Sequence, residues 1–121
     1  GVGCSLNNIA NVYAVLGDNA QALDHYSRCL ELSRRSGATR LEARCQGNLS
    51  DIYIEMGRPE EALENSRAAH AIAVRHGYRS DECYALMAQG AAHKAAGRVT
   101  LAFPLLQEAL SVAQSLSSGS S

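Results

Sequence analysis

Apolar residues recur along this chain at steps of three and four. Leu6, Ile9, Ala10 and Tyr13 make one series, and Ala22, Leu23, Tyr26, Cys29, Leu30 and Leu32 make the next. That spacing lines one face of an α-helix. Between the two series stands Gly17-Asp18-Asn19, and a glycine there reads as a turn, where a left-handed backbone suits glycine alone. The next turn carries more signals. In Gly57-Arg58-Pro59-Glu60-Glu61, glycine ends one helix, proline suits the first position of another, and two carboxylates meet the positive end of its dipole. Ser36-Gly37 and His76-Gly77 close further helices, and Thr39 with Glu42 has the form of a capping box. The pattern predicts helices over 3–16, 20–36, 39–56, 59–76, 80–96 and 99–115. Such short turns make neighbouring helices antiparallel.

The pattern repeats. Gly17, Gly57 and Gly97 stand forty residues apart, as do Ala22, Ala62 and Ala102. Gly37 and Gly77, Asn8 and Asn48, Tyr13 and Tyr53, and Leu23 and Leu63 keep the same interval. The chain therefore reads as three copies of one helical hairpin, 1–37, 38–77 and 78–116, with 117–121 a disordered or non-native tail. The fold class expected is all-α, a right-handed superhelix of six antiparallel helices. Pro104 falls inside the last helix, where a missing amide predicts a bend on the outer face.

Composition agrees and narrows the chemistry. The 121 residues are 46% hydrophobic, lack Trp and carry a formal charge of −1. Eleven basic against twelve acidic residues leave no excess to neutralise a phosphate backbone, so nucleic acid is not an expected partner. No apolar run approaches the length of a membrane span, and no signal peptide opens the chain. A first residue Gly1 and a serine-rich end suggest a piece of a larger protein. Cys4, Cys29, Cys45 and Cys83 show neither a Cys-x-x-Cys pair nor metal-ligand spacing, which suggests reduced thiols and a cytoplasmic setting. Cys29 stands where later units have Ala69 and Ala109, the place of a small core residue. His25, His70, His76 and His93 form no metal motif, and His93 replaces a packed tyrosine. No nucleophile is paired with a base, so no catalytic residue, cofactor or metal is expected.

These residues resemble the tetratricopeptide repeat (TPR) family. The first unit supplies Leu6, Ile9, Ala10, Tyr13, Gly17, Ala22, Tyr26 and Cys29 at the family's spacings, and the second supplies Gln46, Leu49, Ser50, Tyr53, Gly57, Ala62, Ser66 and Ala69. The third gives Leu86, Gln89, Gly90, His93, Gly97, Ala102, Leu106 and Ala109, with Gln89 and His93 in place of Leu and Tyr. The forty-residue period is longer than the family's usual one. It is similar to the branch that includes the LGN/Pins adaptors, the kinesin light chains and many bacterial signalling proteins.

The resemblance implies a protein-interaction module without enzyme activity, which binds a partner peptide or segment in a concave groove lined by the first helix of each unit. By the family's register that lining includes Cys4, Asn7, Asn8, Asn11, Arg44, Gly47, Asn48, Asp51, Tyr84, Met87 and Lys94. The peptide-binding set expected is Asn8, Asn11, Arg44, Asn48, Asp51, Tyr84 and Met87. An asparagine amide both donates and accepts, so a column of them can hold an extended backbone without reading its sequence. The alternative is that Asn8 and Asn48 bond neighbouring helices and only space the units. The family's carboxylate clamp for chaperone tails is not expected, since Arg44 and Lys94 are the only cations in the lining. A rival role is a spacer or self-association element of a multidomain signalling protein, with Phe103 and Leu110 outward on an uncapped third unit.

Overall fold

The computed structural model describes residues 2–119, and over them the chain forms six helices. In chain order these are α1 (Val2–Val15), α2 (Asn19–Ser36), α3 (Thr39–Glu55), α4 (Pro59–His76), α5 (Arg79–Ala95) and α6 (Val99–Gly119). All five turns fall on a glycine with positive φ, from +72° at Gly37 to +81° at Gly17. The amide after each glycine returns to the carbonyl five residues back. Asp18 reaches Tyr13 at 2.9 Å, Arg58 reaches Tyr53 at 2.7 Å and Arg98 reaches His93 at 2.8 Å. These bonds close carbonyls that a helix end leaves open, and a β-carbon at the glycine would strain the turn.

Helix starts follow local chemistry. The Asp18 carboxylate accepts from the Gln21 amide at 3.1 Å and caps α2. Pro59 occupies the first position of α4, with Glu60 and Glu61 in its first turn. The capping box expected at Thr39 is not formed. Ala38 is the N-cap of α3, its carbonyl takes the Glu42 amide at 3.0 Å, and Thr39 lies inside the helix. Its hydroxyl is 2.7 Å from that of Tyr78, one repeat onward.

The last helix passes through Pro104 unbroken and runs to Gly119. Pro104 withholds an amide from the Thr100 carbonyl, but both residues are exposed, where water can supply the donor. Nothing between Ser111 and Ser118 stops a helix, so Ser117 to Gly119 of the expected tail are helical; Ser120 and Ser121 lie outside the described residues.

Packing sets the curvature. The backbone of α3 lies close to those of α1 and α5 as well as to α2 and α4, whereas the backbones of α2, α4 and α6 stay apart from one another among the described residues. The inner layer α1–α3–α5 is closed and the outer layer splays, so the stack curves around the inner helices. The interior is made largely of small residues at the forty-residue interval. Ala22, Ala62 and Ala102 are buried, as are Cys29, Ala69 and Ala109. Glycine also leaves room for a neighbour at Gly90, where an added β-carbon would lie 2.8 Å from Leu106 of α6. At the outer end Phe103 and Leu110 are exposed, as the sequence predicts.

Candidate functional site

The inner helices present the groove side of the stack, and α3 and α5 carry most of its chemistry. Between them lies a cavity of about 330 Å³ lined by Ala43, Arg44, Asn48, Ala69, Ser80, Asp81 and Tyr84. Ala43 and Ala69 are buried and form an apolar floor. The other five place guanidinium, amide, hydroxyl, carboxylate and phenol groups around it. That volume is at the small end for ligand pockets and suits one or two side chains of a bound segment.

The ring of Tyr84 can lie against α3 because residue 47 is glycine. A β-carbon there would sit 2.9 Å from the ring. The Tyr84 hydroxyl then donates to the Asp51 carboxylate. Partial burial of Tyr84, which is 42% exposed, pushes its phenol above the usual tyrosine range, and the bond to Asp51 and the charge of Asp51 push it further. Burial also raises the Asp51 carboxyl, the Tyr84 bond draws it partly back, and the Glu55 charge adds to the rise.

On the other wall, Asp81 holds two arginines of α3. Arg40 Nε lies 3.1 Å from one oxygen, and Arg44 Nε lies 3.7 Å from the other. The two guanidiniums share one carboxylate, so Asp81 offsets part of their charge and this wall keeps a net positive character.

Of the expected peptide-binding residues, the structure brings Arg44, Asn48 and Tyr84 to this cavity and ties Asp51 to it through Tyr84. Asn48 gives one amide hydrogen to the Asn7 oxygen at 3.1 Å, which links α3 to α1 and leaves its other hydrogen and its oxygen for a partner. Asn8, its counterpart in the repeat, is exposed and has no hydrogen-bonded side-chain partner among the described residues. Asn11 accepts from the buried Tyr26 hydroxyl, so part of its capacity serves the fold. Met87 is exposed on α5 without lining the cavity.

The sequence reading missed Ser80 and Asp81. A signal for Asp81 was present: it stands forty residues after Leu41, so a repeated apolar position becomes acidic in the third unit. Around Leu41 the corresponding cavity is apolar, lined by Val2, Gly3, Cys4, Leu32, Ser36, Ala38 and Leu41. One place in the repeat thus carries two chemistries.

A second feature lies at the turns. His93, buried where earlier units have tyrosine, accepts from Arg98 Nε at 3.0 Å through Nδ1. Burial lowers its basicity, and the charges of Arg98 and Arg67 lower it further against the pull of Glu60. Arg98 also reaches Glu60 at 2.7 Å, joining the second and third hairpins.

These helical hairpins, stacked with a groove on the inner layer, define a helical-repeat superhelix. A family model described as "Tetratricopeptide repeat" matches residues 1–73, and the chain belongs to that family, whose repeats serve in general as protein-interaction or scaffold surfaces. Among solved structures, "Crystal structure of BtubC (BKLC) from P. vanneervenii" superposes with a TM-score of 0.85 at 23% identity, covering 96% of this chain. The chain spans 48% of that protein's length, and the likeness is one of fold. Comparison with curated proteins returns no match. Among the described residues no helix is long and apolar enough to cross a membrane.

Proposed function

We propose that this chain is a non-enzymatic docking module that holds a segment of a partner protein in the groove between α3 and α5. The observation that carries this reading is the cavity with an alanine floor and a polar rim of Arg44, Asn48, Asp81 and Tyr84. A side chain of the bound segment fills the cavity while the free groups of Asn48 and Asn8 meet its backbone. Asn11 and Met87 extend the same surface, and Asp51 sets the position of Tyr84. With the charge of Arg44 partly offset by Asp81, selectivity comes chiefly from the shape of the cavity and the placement of its polar groups. The setting proposed is cytoplasmic, within a larger signalling protein. Cys29 and Cys45, packed as small interior residues, support reduced thiols.

Selection of peptides from a random display library against the protein tests the reading. Enriched peptides should bind wild type, and Asn48→Ala with Tyr84→Ala should weaken them at least about tenfold. Peptides that bind the folded double variant unchanged would place the site elsewhere. A second reading, self-association, draws on the exposed Phe103 and Leu110 of α6. Light scattering over a range of concentrations decides it, since a strict monomer excludes it.

A further inference from the structure

Where the second and third units meet, three helices turn donor atoms toward one point. His70 of α4, Glu82 of α5 and Glu108 of α6 each place one ligand-type atom there, and these atoms all lie within 4.8 Å of one another. The three residues are separated by twelve and twenty-six positions, so no motif announces them.

Two observations mark the cluster as more than a chance meeting of polar side chains. The first is an unmet polar atom. Nε2 of His70 is buried and has no hydrogen-bond partner among the described residues, which is costly for a ring nitrogen unless something occupies it. Glu82 is also largely covered, its side chain only 12% exposed, with a single cation, Arg79, at 3.4 Å. Two carboxylates set this close repel, and one arginine does not neutralise both.

The second comes from the repeat itself. One unit back, the same three positions hold Leu30, Glu42 and Ala68. There the glutamate pairs with Arg34 at 3.2 Å, and its neighbours are apolar. Forty residues on, Val74 of α4 replaces that arginine, while the leucine becomes His70 and the alanine becomes Glu108. The glutamate has exchanged an arginine for an imidazole and a second carboxylate.

We propose that His70, Glu82 and Glu108 bind one divalent first-row transition cation, with water completing its shell, and that the ion clamps α4, α5 and α6 together. An imidazole with two carboxylates suits Zn²⁺ and its neighbours, whereas Mg²⁺ and Ca²⁺ prefer oxygen alone. Ligand atoms around a tetrahedral Zn²⁺ stand roughly 3.4 Å apart. The exposed Glu108 side chain is free to swing inward and close the difference.

The test uses metal-free protein titrated with ZnCl₂, followed by calorimetry and thermal denaturation. One Zn²⁺ per chain should bind in the micromolar range, and the melting temperature should rise by several degrees at saturation, with no response to MgCl₂. The variant His70→Leu with Glu108→Ala, which installs the residues of the preceding repeat, should lose at least about a hundredfold in affinity. Glu108→Gln, at an exposed position, repeats the test without disturbing the interior. No Zn²⁺ binding up to millimolar concentration would overturn the proposal. So would binding that survives in the folded variants, or a thiolate band in the Co²⁺ spectrum, which would assign the ion to a cysteine.

Discussion

Tyr84 of α5 donates its hydroxyl to the carboxylate of Asp51 on α3, so the two inner helices are joined at the exposed face of the groove. Gly47 makes the contact sterically feasible. Removing the acceptor in Asp51→Ala should bring the Tyr84 ionisation down toward the ordinary tyrosine range, because both the bond and the negative charge disappear. Gly47→Ala should act in the same direction by displacing the ring. Alkaline titration of tyrosinate absorbance checks both. Tyr26, pushed up to about 12 by burial and by the Asp51 charge, should move down with Asp51→Ala. An unchanged profile in both variants would contradict the contact.

His93 gives the protein a sensitivity to acid. Its basicity is lowered in the fold, so the folded state favours the neutral ring and the unfolded chain binds the proton first. The stability it contributes is complete above the usual value of 6.5 and is lost as pH falls below that value through the lowered one. Glu60, lowered from 4.5 chiefly by its bond to Arg98, acts in the same direction at more acid pH. Urea midpoints should therefore fall between neutral pH and pH values near 5. His93→Tyr, the residue of the first two units, should flatten that fall; an equal pH slope in the variant would refute the assignment.

Ser50 carries a buried hydroxyl that lacks a partner, at the position where the first unit has Ala10. Ser50→Ala should be neutral or stabilising by about 1 kcal/mol, since it removes an unsatisfied polar group without opening a cavity. Thermal denaturation checks the sign. A clear loss of stability would show that the hydroxyl is bonded.

Leu86 is 1% exposed and packs against Ala109 and Val112. Leu86→Ala should cost roughly 2–5 kcal/mol, while Leu110→Ala on the exposed side of α6 should change stability by less than about 0.5 kcal/mol. Urea unfolding of the two variants separates core from surface, and equal losses would mean that Leu110 is buried in an assembly.

Replacing a turn glycine tests the left-handed backbone directly. At Gly57, with φ of +73°, alanine should cost roughly 1–2 kcal/mol. No atom would obstruct its β-carbon, so the loss comes from backbone strain alone, and an undiminished melting temperature would show that the turn had relaxed into another form.

What the sequence made legible was whatever a single hairpin decides. The glycine stops and the apolar steps put all six helices within about a residue of their observed ends, apart from the far end of α6. Relations between units were less visible. Asn48 and Asn8 match in the repeat, yet Asn48 bonds Asn7 of α1. Asp81 reaches back to Arg40 and Arg44, and His70, Glu82 and Glu108 meet across three helices. Each arrangement depends on the angle between packed helices, which periodicity along one chain does not encode.

The described contacts never join the first hairpin to the third. Stability therefore accumulates link by link, and opening at one end is felt only as far as the adjoining hairpin. The third unit can loosen while the first two remain wound, and an ion held by α4, α5 and α6 would lock the link at that end.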